Sequence, residues 1–474
     1  MFKNKIILIF VIFFITNTLV HAETIIVSLE KAIEMALENN TDAKIARMEI
    51  SKAEAAVREA YGYAMPTVDL SANLMHYFEK PVIFFPDFES MLQNATYGIL
   101  FNEGVLPYNP NKFKPIGLSK LSMFLANSFE TKVQATQILF NSAVLRGIGA
   151  SKIYLNLSQE ALKSTASKTI VEVKKAFYGV LLTQEMLAIM KASLLNAENN
   201  LKNVESLYNQ GLVSEFDLLS VQVQIENLKP TVTQLENALL QTKDGLKILL
   251  GIKKEDDIEL DGQMEFEKMV LAEQDSLIQK ALNDNYDLKT MLVKQQIDEE
   301  FIELDRAEYW PSVVAFASYS INGQSDKFDF MNYNTGIVGI TFSINLFNGL
   351  RTNEKVQQST IAAMQSKEQL VQLKEVIKLQ VSAKYNEIHR ILKLIDAQTK
   401  NIELAEKAYS IAKVKYNEGT ATQLEVQNAE LQLRQAKTNR LQSVYDFIVA
   451  KSELDKLTGN IEPEFISKAF KKLK

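Results

Sequence analysis

The chain contains 474 residues, with 52 Lys and Arg, 58 Asp and Glu, three His and no Cys. Its net charge of −6 argues against a nucleic-acid partner. The absence of Cys excludes disulfides and thiolate chemistry, and three His leave little material for an active site or a metal site. We therefore expect no catalytic, cofactor-binding or metal-ligating residues.

The first 22 residues predict a secretory signal peptide. Lys3 and Lys5 precede an apolar stretch over 6–15, and the small residues Val20 and Ala22 suit cleavage after Ala22. The alternative is an uncleaved anchor helix, but the apolar run is shorter than the roughly 20 residues that span a bilayer. No later stretch reaches roughly 18 continuous apolar residues, so we expect an exported chain without membrane-spanning helices.

Four short segments alternate apolar and polar residues with a period of two, which predicts β-strands. In the first segment Val68, Leu70 and Ala72 alternate with polar neighbours, and in the fourth Val338 and Ile340 do the same. Aromatic residues cluster at the strand ends, as they do in the interfacial girdles of membrane barrels. The predicted strands cover about 66–78, 127–140, 312–322 and 335–347.

A sheet made from these strands has one apolar face and one polar face. Such a sheet must pack on another layer or sit in lipid as a closed barrel. Bacterial barrels begin at eight strands, so four strands must be pooled: two subunits would give eight strands and three would give twelve. The alternative is a soluble two-layer domain in which the hairpins pack on helices.

The connection between the first two strands, residues 79–126, holds five of the nine Pro residues and many aromatic residues. This composition predicts a long structured loop, whereas the second pair of strands is joined by only about a dozen residues. Two interpretations stay open for the long loop. It covers or narrows the external mouth of a channel, or it is an extracellular decoration.

The chain repeats itself at an offset of 208 residues. The run Tyr208–Gly211 aligns with Tyr416–Gly419, and heptad-spaced apolar residues precede each Gly. This predicts two helical hairpins, each with a long helix that runs to its Gly and a shorter helix that returns. The predicted helices are 142–210 and 212–250 in the first repeat and 348–418 and 420–458 in the second. The predicted divisions are a signal peptide at 1–22, a first repeat at 23–251, a connecting segment at 252–274, a second repeat at 275–459 and a tail at 460–474.

This order of signal peptide, paired strands, long helix, glycine turn and returning helix resembles the outer membrane efflux protein family typified by TolC. The resemblance covers about 28–460. It implies a mainly helical fold with a membrane β-barrel part, in which a trimer closes a twelve-stranded barrel continued by a twelve-helix coiled-coil tunnel. It also implies an outer-membrane channel with its tunnel in the periplasm, which acts as a passive conduit in a tripartite efflux or type I secretion system. The implied partners are two further copies, a periplasmic adaptor, an inner-membrane ABC or RND-type transporter and outer-membrane lipid, with no cofactor.

The resemblance further assigns residues at the two turns. Asp217 and Tyr416 take the positions of a gate network whose usual Arg is replaced here by Ala421. Glu425 and Asn428 take the positions of an acidic pair at the constriction, so half of that charge is missing. For Asp217 and Glu425 the alternative is an ordinary solvated helix carboxylate. The implied adaptor-docking residues are Gly211, Leu212, Val213, Ser214, Gly419, Thr420, Ala421 and Thr422.

The competing interpretation from another class is a periplasmic coiled-coil adaptor or scaffold. Such a protein needs only one helical hairpin and no paired strands. An enzyme is disfavoured, since the carboxylates of 298–300 and 256–257 have no neighbouring base in the sequence. We expect these two groups to lie on a solvated helix face and in a loop, respectively, without a chemical role.

Overall fold

The computed structural model describes residues 24–253 and 255–470, so the predicted signal peptide at 1–22 lies outside the described residues. The helices and strands are numbered in chain order. They are β1 (Thr24–Ser28), α1 (Leu29–Asn39), α2 (Thr41–Gly62), β2 (Thr67–His76), β3 (Ile83–Pro86), α3 (Phe88–Asn102), β4 (Leu118–Leu121), β5 (Asn127–Asn141), α4 (Ser142–Asn209), α5 (Glu215–Leu250), β6 (Asp257–Asp261), α6 (Gln274–Asp284), α7 (Tyr286–Arg306), β7 (Ser312–Ser325), β8 (Met331–Ser343), α8 (Arg351–Asn417), α9 (Gln423–Leu457) and α10 (Pro463–Ala469).

The chain divides into two compact units. The sheet unit consists of Ala55–Lys152 and Glu299–Ile361, and the helical unit consists of the described parts of Met1–Glu54, Ile153–Asp298 and Ala362–Lys474. The architecture is mainly helical, as expected. Among the helices of the described residues, none combines the length and the apolarity that crossing a membrane requires.

The sheet unit is built on one antiparallel sheet with the strand order β2-β5-β7-β8. Its register places Leu70 opposite Val133, Val133 opposite Tyr319, and Ala317 opposite Val338. Paired residues project to the same side of a sheet, so most of the apolar residues of the four strands share one face. That apolar face contains Val68, Leu70, Ala72, Leu74, Phe129, Val133, Ala135, Val313, Ala315, Ala317, Tyr319, Ile321, Val338, Ile340 and Phe342.

The apolar face is uncovered within one chain, where Leu70 is 73% exposed and Val338 is 85% exposed. The opposite face is mostly polar and carries, for example, Asp69, Lys132 and Ser318, although Phe316 and Ile337 also lie on it. Within the described part of the chain, β2 and β8 each pair with one neighbour only. Both edges of the sheet therefore present unpaired backbone N–H and C=O groups.

The fourth strand was predicted at 335–347, but β8 begins at Met331 and ends at Ser343. Ser343 pairs with Ser312, the first residue of β7, so Ile344 has no strand residue opposite it. The alternation of apolar and polar residues continues beyond Ser343 in the sequence without a partner to extend the ladder. The third strand, predicted to end at residue 322, continues to Ser325, which shortens the connection to β8.

The helical unit contains two large apolar cores, each built mainly from one repeat, and a smaller third cluster between α4 and α5. The first core gathers Ile33 of α1, Ile170 and Phe177 of α4, and Leu246 of α5. The second core gathers Leu288 of α7, Ile377, Ile388 and Ile391 of α8, and Phe447 of α9. Each long helix is therefore held against its own returning helix and against a short helix from the start of the same repeat.

The connecting segment 252–274 contains β6, which pairs in parallel with β1. Asp257 was expected in a loop, but it is the first residue of β6. The expectation of a solvated face is also wrong for Asp298, which accepts hydrogen bonds from Lys294 (2.9 Å) and from the Ser366 hydroxyl. A strand of five residues whose partner lies far away in the chain leaves too short a pattern to be predicted.

The helix ends provide a test of the packing. Gly459, which follows α9, has φ +63°, and an added Cβ would lie 2.4 Å from the carbonyl oxygen of Asp284. We expect Gly459→Ala to lower the thermal unfolding midpoint strongly, because the clash is with backbone and adds to the cost of a left-handed conformation. The matched control is Gly211→Ala, where φ is +73° but nothing lies within 4 Å of the added Cβ. It should cost only about 1–2 kcal/mol. Equal shifts in the two variants would contradict the contact.

Candidate functional site

The two long helices end in the same backbone arrangement. After α4, Gly211 has φ +73°, and the N–H of Leu212 donates to the carbonyl of Leu207 (2.9 Å). After α8, Gly419 has φ +72°, and the N–H of Thr420 donates to the carbonyl of Lys415 (2.9 Å). This six-residue closure around a left-handed Gly is a Schellman motif. The glycines are required for their backbone conformation, since a Cβ at either position would meet open space.

A capping box begins each returning helix. The N–H of Ser214 donates to the Asp217 carboxylate (3.2 Å), and the N–H of Asp217 donates to the Ser214 hydroxyl oxygen (3.2 Å). The N–H of Thr422 donates to the Glu425 carboxylate (2.7 Å), and the N–H of Glu425 donates to the Thr422 hydroxyl oxygen (3.3 Å). Each hairpin therefore reverses direction within five residues, and both reversals are fixed by local hydrogen bonds.

The capping boxes give Asp217 and Glu425 a role that the sequence interpretation did not assign. The pattern was present, because Ser or Thr followed three residues later by Asp or Glu is typical of a helix start. Asp217 and Glu425 are also equivalent under the 208-residue offset, so the two repeats use one device at one place. Both carboxylates stabilise their own helices, whatever further role they have.

Most of the predicted docking residues lie on the surface of the turns. Leu212, a large apolar side chain, is 67% exposed. Val213 and Ala421 are half-buried, and Val213 packs on a small apolar cluster formed by α4 and α5 that includes Val204 and Val221. The exposed members are Gly211, Leu212, Ser214, Gly419, Thr420 and Thr422.

Of the four predicted gate residues, Asp217 and Tyr416 lie close enough for the charge of Asp217 to affect the phenol of Tyr416. Burial raises the pKa of the Tyr416 phenol, and the nearby Asp217 carboxylate raises it further. The Tyr416 ring packs against the same apolar cluster as Val213. Glu425 and Asn428 are both exposed on α9.

A polar cavity of about 140 Å³ lies beside Tyr416 and is lined by α4, α5, α8 and α9. Glu430, only 8% exposed, forms part of its wall and accepts hydrogen bonds from Gln224 (3.2 Å) and Arg434 (3.3 Å). Burial raises the pKa of Tyr409 on the same wall, and the Glu430 charge adds to this effect. This cavity could not be predicted from the sequence, because its polar residues come from four separate helices.

The capping residues generate a prediction. We expect the double variant Ser214→Ala and Thr422→Ala to fray the first turns of α5 and α9, because each loses a side-chain acceptor worth about 0.5–2 kcal/mol. Amide hydrogen exchange should accelerate at Asp217 and Glu425 while the cores of the helical unit stay protected. The exchanged pair Ser214→Thr and Thr422→Ser keeps both acceptors and should exchange like the parent chain. Unchanged exchange in the Ala variant would show that the boxes contribute nothing.

Comparison with known proteins identifies the context of this site. Residues 116–252 and 277–460 match the sequence model of the family described as outer membrane efflux protein. The chain is 21% identical over 305 residues to the outer membrane protein TolC of Vibrio cholerae, covering 64% of this chain and 70% of that protein. It is 22% identical over 310 residues to the alkaline protease secretion protein AprF of Pseudomonas aeruginosa, covering 65% and 64%.

The fold is similar to that of solved channel structures. The crystal structure of the outer membrane protein VceC from Vibrio cholerae superposes with a TM-score of 0.68. The match covers 91% of this chain and 96% of VceC at 14% sequence identity. At that identity the likeness concerns the fold alone.

Proposed function

This chain belongs to the outer membrane efflux protein family, and from that premise we propose that three copies assemble into one export channel. The chain is an outer-membrane channel protein of efflux or type I secretion, with its helices in the periplasm. This decides against the periplasmic adaptor that the sequence left as an alternative. The proposal concerns how the copies assemble, where partners bind and how the channel closes.

The observation that carries the proposal is the sheet with one apolar face and two unpaired edges. An exposed apolar face of this size suits lipid, where no water competes for the backbone. In lipid the open edges of β2 and β8 must find partners, and four strands are too few to close on themselves. Pairing β8 of one copy with β2 of the next closes the ring, and three copies give the twelve strands that the family resemblance implies.

The polar face of the sheet then lines the barrel interior. The helical unit supports the same count, because each copy contributes α4, α5, α8 and α9 and three copies contribute twelve helices. A tunnel of this kind is a passive conduit. The family to which the chain belongs is one of transport proteins, and we assign no catalytic role or cofactor.

The turns are the proposed docking surface for a periplasmic adaptor that joins the channel to an inner-membrane ABC or RND-type transporter. The exposed Leu212 offers an apolar contact at the first turn, and Thr420 offers a polar one at the second. Since both turns are fixed by Schellman motifs and capping boxes, their shape is set before a partner arrives. Docking at a preformed surface loses little conformational entropy.

The gate is proposed at Asp217, Tyr416, Glu425 and Asn428. Asp217 lies close enough to Tyr416 for its charge to add to the effect of burial in raising the pKa of the Tyr416 phenol, and this supports a common site. The small side chain of Ala421, where similar channels carry Arg, supplies no cation to the Asp217 carboxylate. We therefore expect the closed state of the channel to be only weakly stabilised. At the constriction we expect one carboxylate per copy, that of Glu425.

Cysteine crosslinking tests the assembly, and the chain has no native Cys to interfere. With Leu70→Cys in β2, we expect a second Cys scanned over Val338, Ile340 and Phe342 of β8 to give oxidised dimers and trimers in denaturing gels. Those bands should accompany pores in planar bilayers. The matched control pairs the same β8 scan with Val133→Cys, which shares the face of Leu70 but lies in β5 between two strands of its own chain. Detergent-free monomers, or equal crosslinking from Val133, would contradict the trimer.

Conductance tests the gate. Restoring a cation with Ala421→Arg should lower the resting conductance about tenfold, because a charge-assisted hydrogen bond contributes about 1.5–3 kcal/mol. Ala421→Gln, which adds length without charge, should leave it near the parent value. Glu425→Gln should remove most of the block by polyvalent cations while keeping its capping box, since Gln also fits that position. If Ala421→Arg and Glu425→Gln both behaved like the parent, the gate would lie elsewhere.

A further inference from the structure

The cavity beside Tyr416 contains buried polar atoms that the protein leaves unpaired. Gln423 is 1% exposed, and neither atom of its side-chain amide has a hydrogen-bond partner among the described residues. The same holds for the Gln427 amide nitrogen and the Tyr416 hydroxyl. All three side chains line the cavity. A buried donor or acceptor without a partner is costly, so four such atoms around one space point to a missing ligand.

The two repeats carry different side chains at two equivalent positions around this space. Under the 208-residue offset, Gln427 corresponds to Leu219 and Tyr409 corresponds to Leu201. In the first repeat, Leu201 packs in the apolar cluster of α4 and α5, which needs no ligand. At these two positions the second repeat carries hydrogen-bonding side chains where the first repeat carries apolar ones.

The chemistry of the unpaired atoms selects the ligand. The two amide NH₂ groups and the Tyr416 hydroxyl donate, whereas the Gln423 Oε1 accepts, so the ligand must both accept and donate. An anion would face the carboxylate of Glu430 in the same wall. A cation would face three donors, because both Glu430 oxygens are already engaged by Gln224 and Arg434.

We propose that this cavity binds a cluster of ordered water molecules that joins the two helical hairpins of one chain. A volume of about 140 Å³ accommodates about five waters at the roughly 30 Å³ each occupies in the liquid. Each water finds several polar partners on the walls, as buried waters require. Water is neutral and exchanges with the solvent. The contact between the two helical hairpins is therefore made by hydrogen bonds that can break and re-form through water.

This inference concerns packing within one chain and does not depend on the channel function. A water-filled cavity and a dry cavity predict opposite effects of Gln423→Leu, which replaces the amide with an apolar group of similar size. If water fills the cavity, the variant strips partners from the cluster and should lower the thermal unfolding midpoint by on the order of 2–4 °C. If the cavity is dry, the variant removes two unpaired atoms and should raise the midpoint.

The matched control is Gln222→Leu, an exposed glutamine on α5 at the position that corresponds to Glu430. It should leave the midpoint of the purified full chain unchanged in either case. The second measurement is a high-resolution density map of the unaltered protein. We expect at least three ordered waters, including one within hydrogen-bonding distance of the Gln423 amide. An empty cavity, direct hydrogen bonds between Gln423 and Gln427 without water, or a raised midpoint for Gln423→Leu would each overturn the proposal.

Discussion

The unpaired backbone along two strand edges is the constraint on which the rest of this protein depends. Water satisfies the exposed N–H and C=O groups of a sheet edge, but lipid does not, and each group left unsatisfied there costs several kcal/mol. Within the described part of the chain, no further strand covers either edge of this sheet. The trimer that we propose would satisfy both edges, and it would repeat every other element three times. Its helices, turns and polar sheet face would then be arranged around one axis.

The sequence predicted the elements whose patterns are long. Alternation over Val68–Leu74 revealed β2, and heptad spacing up to Gly211 and Gly419 revealed the long helices. It misplaced β8, because alternation persists through Ile344 although the partner strand has already ended. It did not reveal β1 and β6, since five residues carry too little pattern and their pairing is set by distant packing.

Near the turns, one feature was predictable from the sequence and another was not. The capping boxes of Ser214 and Thr422 follow a local rule and were predictable, whereas the cavity around Gln423 requires knowledge of which helix faces meet. The two repeats illustrate the distinction. They share backbone geometry at the glycine turns and at the capping boxes, and they differ in the side chains packed around these turns. The same local hydrogen bonds fix both turns, whereas the side chains packed beside them are more polar in the second repeat.

The composition of the first core has a consequence for how the chain matures. Its members come from the start of the chain at Val27, from the middle at Phe177 and Ile258, and from α10 at Phe465 and Ile466. In a chain that emerges from its amino terminus, Phe465 and Ile466 appear long after Val27 and Ile33. Until α10 has been made, Val27 and Ile33 remain partly exposed. Strand β1 likewise cannot pair until β6 has been made. The first core can therefore close only after α10 has been made, and until then its apolar residues are exposed to aggregation.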